Sequence, residues 1–469
     1  MQKALGAGNI LRRLAILLLL LALILAPRPL AGSLDLGRAR RLEAGGDLAS
    51  AVPAYASAAQ RLPWQPSLWQ KAGELAWFAG DLQGAFDYLG QAASRNALTT
   101  TDWVILGQLY QQRGDLPAAV AAWEHGLPSA EAYRLLAQTA RSQGALASAQ
   151  ADWRASLAQE PGDANARYQL GLLLAASSPE EALPELMQAA RLDTSLEPQV
   201  KSLRTALNTA LLSDDQGYQF LVAGQALGAL GEWDLAAAAF QNAVNADPAY
   251  AEAWAWLGEA EQQQGQDGKT EIEHALQLRP DSALVESLYG IYLQRQGQAE
   301  EALSAFQKAV AIEPQDPGWQ MALGSAYEQA GDLVAALDHY QQAAGLDPGG
   351  ATAWRALALF SLRNDVDVAG VGLPAARRLM ELADDDWQSF DVAGQVLLDI
   401  GDLVGAEVLL KRALDLDSTQ AAPSLHLGLL YLQTDQLDES YTYLVQAKTL
   451  DPDGPNGWQA GHLLEQYFP

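Results

Sequence analysis

Cysteine is absent from all 469 residues. Disulfides, thiolate nucleophiles, cysteine-containing zinc sites and the cysteine of a lipid anchor are excluded with it. Basic charge is scarce: 29 Lys and Arg stand against 57 Asp and Glu, for a net charge of −28. A chain this acidic repels phosphate backbones, so no nucleic-acid partner is expected and a basic peptide or protein is favoured. The five histidines, His125, His274, His339, His426 and His462, fall in separate segments at different local positions, and spacing brings no two of them together on a metal. A Gly-rich phosphate loop, His-Glu-x-x-His and Gly-x-Ser-x-Gly are all missing. The acidic clusters Asp384 to Asp386 and Asp451 to Gly457 fall between helical segments, where capping acids are expected rather than calcium ligands. Neither enzyme activity nor a cofactor or metal is expected.

Long apolar runs are missing as well, with one exception. Leu14 to Ala26 is thirteen uninterrupted apolar residues behind Arg12 and Arg13. As a helix it would reach about 20 Å across a hydrocarbon core of roughly 30 Å. That length suits a signal peptide, but Pro27 follows Ala26, and Pro29 stands two residues before Ala31. Residues 1–31 are therefore read as an uncleaved signal-anchor helix, with a cleaved signal peptide as the alternative. The remainder is expected outside the cytoplasm, tethered to a membrane, or secreted if the leader is removed. Charge is split along the chain: the first 41 residues hold seven basic side chains and one acid, leaving −34 on the rest.

Glycine and proline are not clustered; they recur. Thirty-four residues separate Pro280, Pro314 and Pro348, and a small residue recurs at similar intervals as Gly73, Gly107, Ala137, Gly171, Gly224, Gly258, Gly290, Gly324, Ala358, Gly394 and Gly428. Twelve residues further on stands a second small residue, as at Ala85, Ala119, Ala336, Ala406 and Ser440. Two such positions across a short turn let antiparallel helices approach closely. Gly46-Asp47, Gly80-Asp81, Gly114-Asp115, Gly331-Asp332 and Gly401-Asp402 supply the turn. The glycine ends the leading helix in a left-handed conformation and the aspartate caps the trailing one. Prolines at 63, 161, 248, 280, 314, 348 and 452 close the trailing helices.

Trp103, Leu106-Gly107, Tyr110, Ala119 and Trp123, like Leu323-Gly324, Tyr327, Ala336, Tyr340, Ala343 and Pro348, make the chain resemble the tetratricopeptide repeat (TPR) family from 32 to 469. The resemblance implies an all-α fold, an α-solenoid built as a right-handed superhelix of about twelve helix pairs. Repeat starts fall near Gly32, Pro66, Thr100, Ala130, Ala164, Gly217, Ala251, Ala283, Pro317, Ala351, Trp387 and Ala421, and Pro455 to Pro469 forms a capping half-repeat. Glu197 to Gln216 reads as an extra helix, which sets the expected domains as 1–31, 32–216 and 217–469. The repeat at Ala251 is short, and Arg363 to Pro374 lengthens a turn. Trp69, Trp103, Trp254, Trp354 and Trp458 share one repeat position, which predicts core packing.

In TPR proteins the leading helices usually line a concave groove that holds a peptide or a partner's helix. By that resemblance the groove residues are Gln70, Trp77, Gln108, Gln111, Gln112, Gln138, Arg141, Tyr168, Gln262, Gln263, Gln294, Arg295, Gln329, Arg355 and Gln395. Glutamine dominates, and a primary amide pairs with a peptide backbone as both donor and acceptor. The lysines and asparagines of the carboxylate clamp are missing: the corresponding residues are Gln70 and Gln108, or Met321 and Ser325. The reading is a non-enzymatic scaffold holding a protein or peptide near a membrane. The alternative is an accessory subunit of a glycan or protein export or assembly system.

Overall fold

The computed structural model describes residues 27–468, and among them are 26 α-helices and no strand. The apolar run Leu14 to Ala26, and with it the expected anchor helix, lies outside the described residues. Among those described, no helix is long and apolar enough to cross a membrane. The chain divides into two compact units between Ala239 and Phe240. In both, the helices follow one another as pairs, giving an all-helical solenoid.

Pair formation follows the local signals closely. Gly46, Gly80, Gly114, Gly331 and Gly401 all have φ between 78° and 81°, a conformation that a Cβ disfavours. The aspartate after each caps the trailing helix, as when Asp81 accepts from the Gly84 amide at 2.9 Å and Asp115 from Ala118 at 3.1 Å. Trailing helices such as Leu48–Arg61, Ala299–Ile312 and Leu333–Leu346 stop two residues before Pro63, Pro314 and Pro348. Glu197–Ala210 stands alone between pairs as the extra helix, and Pro455–Tyr467 follows the last pair.

The recurring glycine on the leading helix has a more specific cause than close approach alone. A Cβ on Gly107 would lie 2.3 Å from the Trp123 indole nitrogen, one on Gly290 2.8 Å from Phe306, and one on Gly428 2.6 Å from Leu444. Each bulky partner stands sixteen residues further on, in the trailing helix, and fills the space that the glycine leaves. The small residue at plus twelve assists from beside it: buried Ser440 donates from its hydroxyl to the Gly428 carbonyl at 2.9 Å.

Two expectations need correction, the first helix and Trp458, and two gain detail. The first helix is Pro27–Ala44 and starts ahead of Gly32, because Gly32 is already packed on Leu62 in the middle of a helical face. The lengthened turn at Arg363 to Pro374 is not an open loop. Asp365 and Asp367 adopt positive φ, and Val368–Gly372 forms a π-helical turn, with Val368 buried, that runs directly into the helix Leu373–Leu382. The tryptophans at the shared position are mostly half-buried, because several turn the indole N–H outward to a closing proline. Trp254 donates to the Pro248 carbonyl at 2.9 Å and Trp354 to that of Pro348 at 3.3 Å. Finally, Trp458 is 73% exposed. The helix Pro455–Tyr467 is seated instead through Ala460, Leu463 and Leu464.

Candidate functional site

The fifteen sequence-predicted groove residues all lie on leading helices, but Gln111 and Gln112, Gln262 and Gln263, and Gln294 and Arg295 are adjacent and so do not share one helical face. The structure sorts them by whether the amide or guanidinium is already used. In the unit up to Ala239, Gln70 on the helix Ser67–Phe78 donates to Glu74 at 3.0 Å and to Asp102 at 2.7 Å. Asp102 is only 1% exposed and also closes the capping box of Thr100–Gln112. Trp77 is half-buried against the core of this unit. Arg141 is engaged by Asp234 at 2.7 and 2.8 Å, by Glu232, and by Gln169 at 3.3 Å. These acids hold the guanidinium charged well above its ordinary range, with the Asp234 hydrogen bond as the main cause.

Between those residues lies a set without polar partners. Gln108, Gln111 and Gln112 on Thr100–Gln112, Gln138 on Ala130–Ser142, and Tyr168 on Ala164–Ser177 make no side-chain hydrogen bond or ion pair among the described residues. Gln111, Gln112 and Gln138 are exposed, while Gln108 and Tyr168 are half-buried. Burial, followed by the charge of Glu232, raises the Tyr168 pKa. The phenol therefore stays protonated and available as a donor.

The unit from Phe240 contrasts with this. Arg295 grips Glu259 in a two-pronged pair at 2.6 and 2.7 Å and donates to Gln262 at 3.2 Å, while Gln263 donates to Glu259 at 2.8 Å. Gln395 donates to Asp391 at 2.9 Å, and Arg355 is paired with Asp386. Only Gln294 and Gln329 among this unit's candidates are without a polar partner.

Sequence reasoning missed the acids that consume these side chains. Asp102, Glu259 and Asp391 are each 5% exposed or less. Gln70 to Asp102, Arg295 to Glu259 and His426 to Asp391 (2.7 Å) span 32, 36 and 35 residues. These are separations of one repeat, so pairing polar leading-helix residues at the repeat period would have found them. The histidines are satisfied locally: His125 stacks on Trp103 with centroids 4.6 Å apart, His274 meets Trp254 edge-on at 4.8 Å, and His339 stacks on Tyr327 at 5.3 Å. No group of three or more potential metal ligands occurs among the described residues. A cleft of about 500 Å³ between Leu146–Gln159 and Pro179–Leu192 offers no free charge, since Arg154 and Arg167 there are paired with Glu181 and Glu185.

In the short repeat, Glu261 and Glu271 face each other across the pair. Burial, and then the neighbouring Glu271 carboxyl, push the Glu261 pKa up to about 7. The folded value exceeds the ordinary 4.5, so this pair favours folding below pH 4.5 and the contribution is lost as pH rises through 7. Glu261→Gln is expected to flatten that pH dependence and raise the melting temperature above pH 7 by about 1–2 °C, a screened partial shift for a unit of this size. Thermal unfolding of both proteins at pH 4.5 and above pH 7 checks it.

Known proteins supply a family for part of the chain. Tetratricopeptide-repeat models match residues 221–277 and 290–351, and 424–453. Those residues thus carry tetratricopeptide repeats. No curated protein is significantly similar in sequence. Yeast Tom70 is 14% identical over 93% of this chain and 95% of its own, with a TM-score of 0.43. The pilF protein of Pseudomonas aeruginosa is 18% identical over 47% of this chain and 98% of its own, with a TM-score of 0.39.

Proposed function

We propose that the protein is a non-enzymatic scaffold that holds an extended peptide or a helix of a partner protein on its leading-helix face. Its N-terminal segment tethers it to a membrane, with the helix pairs on the extracytoplasmic side. The observation that carries the binding surface is the run of unpartnered Gln108, Gln111, Gln112, Gln138 and Tyr168, on three consecutive leading helices. Amides already bound to buried acids are structural; these retain full donor and acceptor capacity. The net charge of −28 favours a basic ligand. A second reading, guidance of a glycan or protein chain in an export or assembly system, is favoured by one feature: Phe78, 71% exposed beside Trp77, offers an aromatic face to sugars.

The test is Gln111→Ala combined with Gln138→Ala. Alanine is the best helix former, so helicity is expected to stay unchanged. Loss of two neutral hydrogen bonds at about 0.7 kcal/mol each should weaken partner capture roughly tenfold. Affinity measured against the protein recovered by crosslinking from solubilised membranes decides it, and unchanged affinity removes these residues from the site.

A further inference from the structure

The first helix, Pro27–Ala44, is built differently on its two sides. Inward, Gly32 sits on Leu62, and Leu36, Ala39 and Leu42 pack into the core of the first repeats. Both acids of the helix also turn this way: Asp35 pairs with Arg61, and Glu43 accepts from Tyr55 and from Lys71, the latter at 2.9 Å. Outward stand Leu30, Leu34, Arg38 and Arg41 at i, i+4, i+8 and i+11, one stripe of a helix, while Arg40 lies off it toward Glu43, whose pKa is lowered first by the Tyr55 hydrogen bond and also by the Arg40 charge. All three arginines are exposed, and none is in an ion pair among the described residues. Arg41 reaches only the Gly37 carbonyl of its own helix. The acids are used up internally and the outer face is left cationic, on a chain that is otherwise strongly acidic.

A terminal helix of a repeat array needs only a polar outer side. The arginines meet that need, but Leu30 and Leu34, each 69% exposed, do not. Their order along the axis is informative. At 1.5 Å per residue they stand about 12 and 6 Å before Arg38, on the side where the helix follows the apolar run Leu14 to Ala26. Along this stripe the leucines come first and the arginines one to three turns on, the order of layers from acyl chains to phosphates at a bilayer surface, while exposed Arg28 precedes them on another side of the helix.

We propose that this face docks on an anionic phospholipid surface, with Leu30 and Leu34 at the acyl boundary and Arg38, Arg40 and Arg41 among the headgroup phosphates. Its location rests on the membrane reading of the preceding run; the cationic, leucine-bearing face stands on the side-chain positions alone. The same surface repels the acidic remainder, which carries −34, so the array is seated by its N-terminal end and projects away. Each arginine near an anionic surface strengthens partition about fivefold.

The chain has no cysteine, so Leu34→Cys takes a single environment-sensitive fluorophore in the full-length protein. Flotation with phosphatidylcholine vesicles reports the apolar run; the label reports the docking face. In vesicles containing phosphatidylglycerol the emission of the label is expected to shift to the blue, and a lipid-borne quencher should reach it. High salt should reverse both effects. Arg38→Glu with Arg41→Glu should weaken the phosphatidylglycerol response well beyond the roughly twenty-five-fold that losing two arginines alone would cost, while flotation on phosphatidylcholine persists. Arg38→Gln with Arg41→Gln should give an intermediate loss, which separates charge from misfolding. A protein that floats while its label ignores phosphatidylglycerol overturns the docking face and leaves the membrane tether standing. Salt-sensitive binding to phosphatidylglycerol vesicles without flotation on phosphatidylcholine supports the face and overturns the tether. A label shift produced by a second copy of the protein, and by no lipid, overturns the proposal in favour of self-association.

Discussion

Replacing Trp123 with Ala is expected to destabilise the unit up to Ala239 by about 3–5 kcal/mol, the range for truncating a buried aromatic. Trp123 is fully buried and packs among Val104, Ala119 and Ala132, with Tyr110 and Leu136 beside them. It thus joins three helices, Thr100–Gln112, Leu116–His125 and Ala130–Ser142. Gly107 has no side chain with which to fill the space, because the indole lies where its Cβ would be. In an array held by nearest-neighbour contacts the loss should also uncouple the third pair from the fourth, and denaturant unfolding should become broader or biphasic. Trp123→Phe is a useful contrast. The indole nitrogen has no hydrogen-bond partner, so phenylalanine loses volume but removes an unpaired buried donor, and its cost should stay below about 1.5 kcal/mol. Urea unfolding of the three proteins measures both; a loss below 1 kcal/mol for the alanine variant, a figure under the usual large-to-small range, would remove Trp123 from its place as the joint.

Arg295→Ala should cost about 2–3 kcal/mol in the other unit. The Glu259 side chain is 7% exposed and is held by the two-pronged contact with Arg295. Truncation would leave that carboxylate with only the Gln263 amide. Breaking a buried pair commonly costs about 3–5 kcal/mol, but Arg295 is itself 38% exposed, so water screens part of the loss. Replacing both partners with leucine should restore stability to within about 1 kcal/mol of the parent, since the desolvation penalty disappears together with the attraction. If the double variant is as unstable as Arg295→Ala, packing of the arginine stem rather than the stranded charge explains the effect.

How much of this could be read in advance depended on the range of each signal. Turns were legible because Gly80-Asp81 and its equivalents state φ and capping in two adjacent residues, and trailing-helix ends were legible because a proline stands two residues beyond them. Length changes at Lys269 and Arg363 were visible as departures from the period. Which glutamine is free was not legible, because it depends on an acid one repeat away: Gln70 and Gln108 look alike in sequence, yet only Gln70 meets an Asp102. The tryptophan position misled for a similar reason. Trp254 and Trp458 carry the same local pattern, each six residues after a closing proline, but only Trp254 bonds that proline's carbonyl, and Trp458 stays 73% exposed.

The central claim is that recognition lies on the leading-helix face around Gln111 and Gln138. Its most direct test is a photoreactive amino acid placed singly at Gln111, at Gln138 and, as the comparison, at the exposed trailing-helix residue Glu124, with crosslinking in native membranes. Discrete adducts to one partner from Gln111 and Gln138, with none from Glu124, are the predicted result. Equal labelling at all three, or adducts from Glu124 alone, would contradict it.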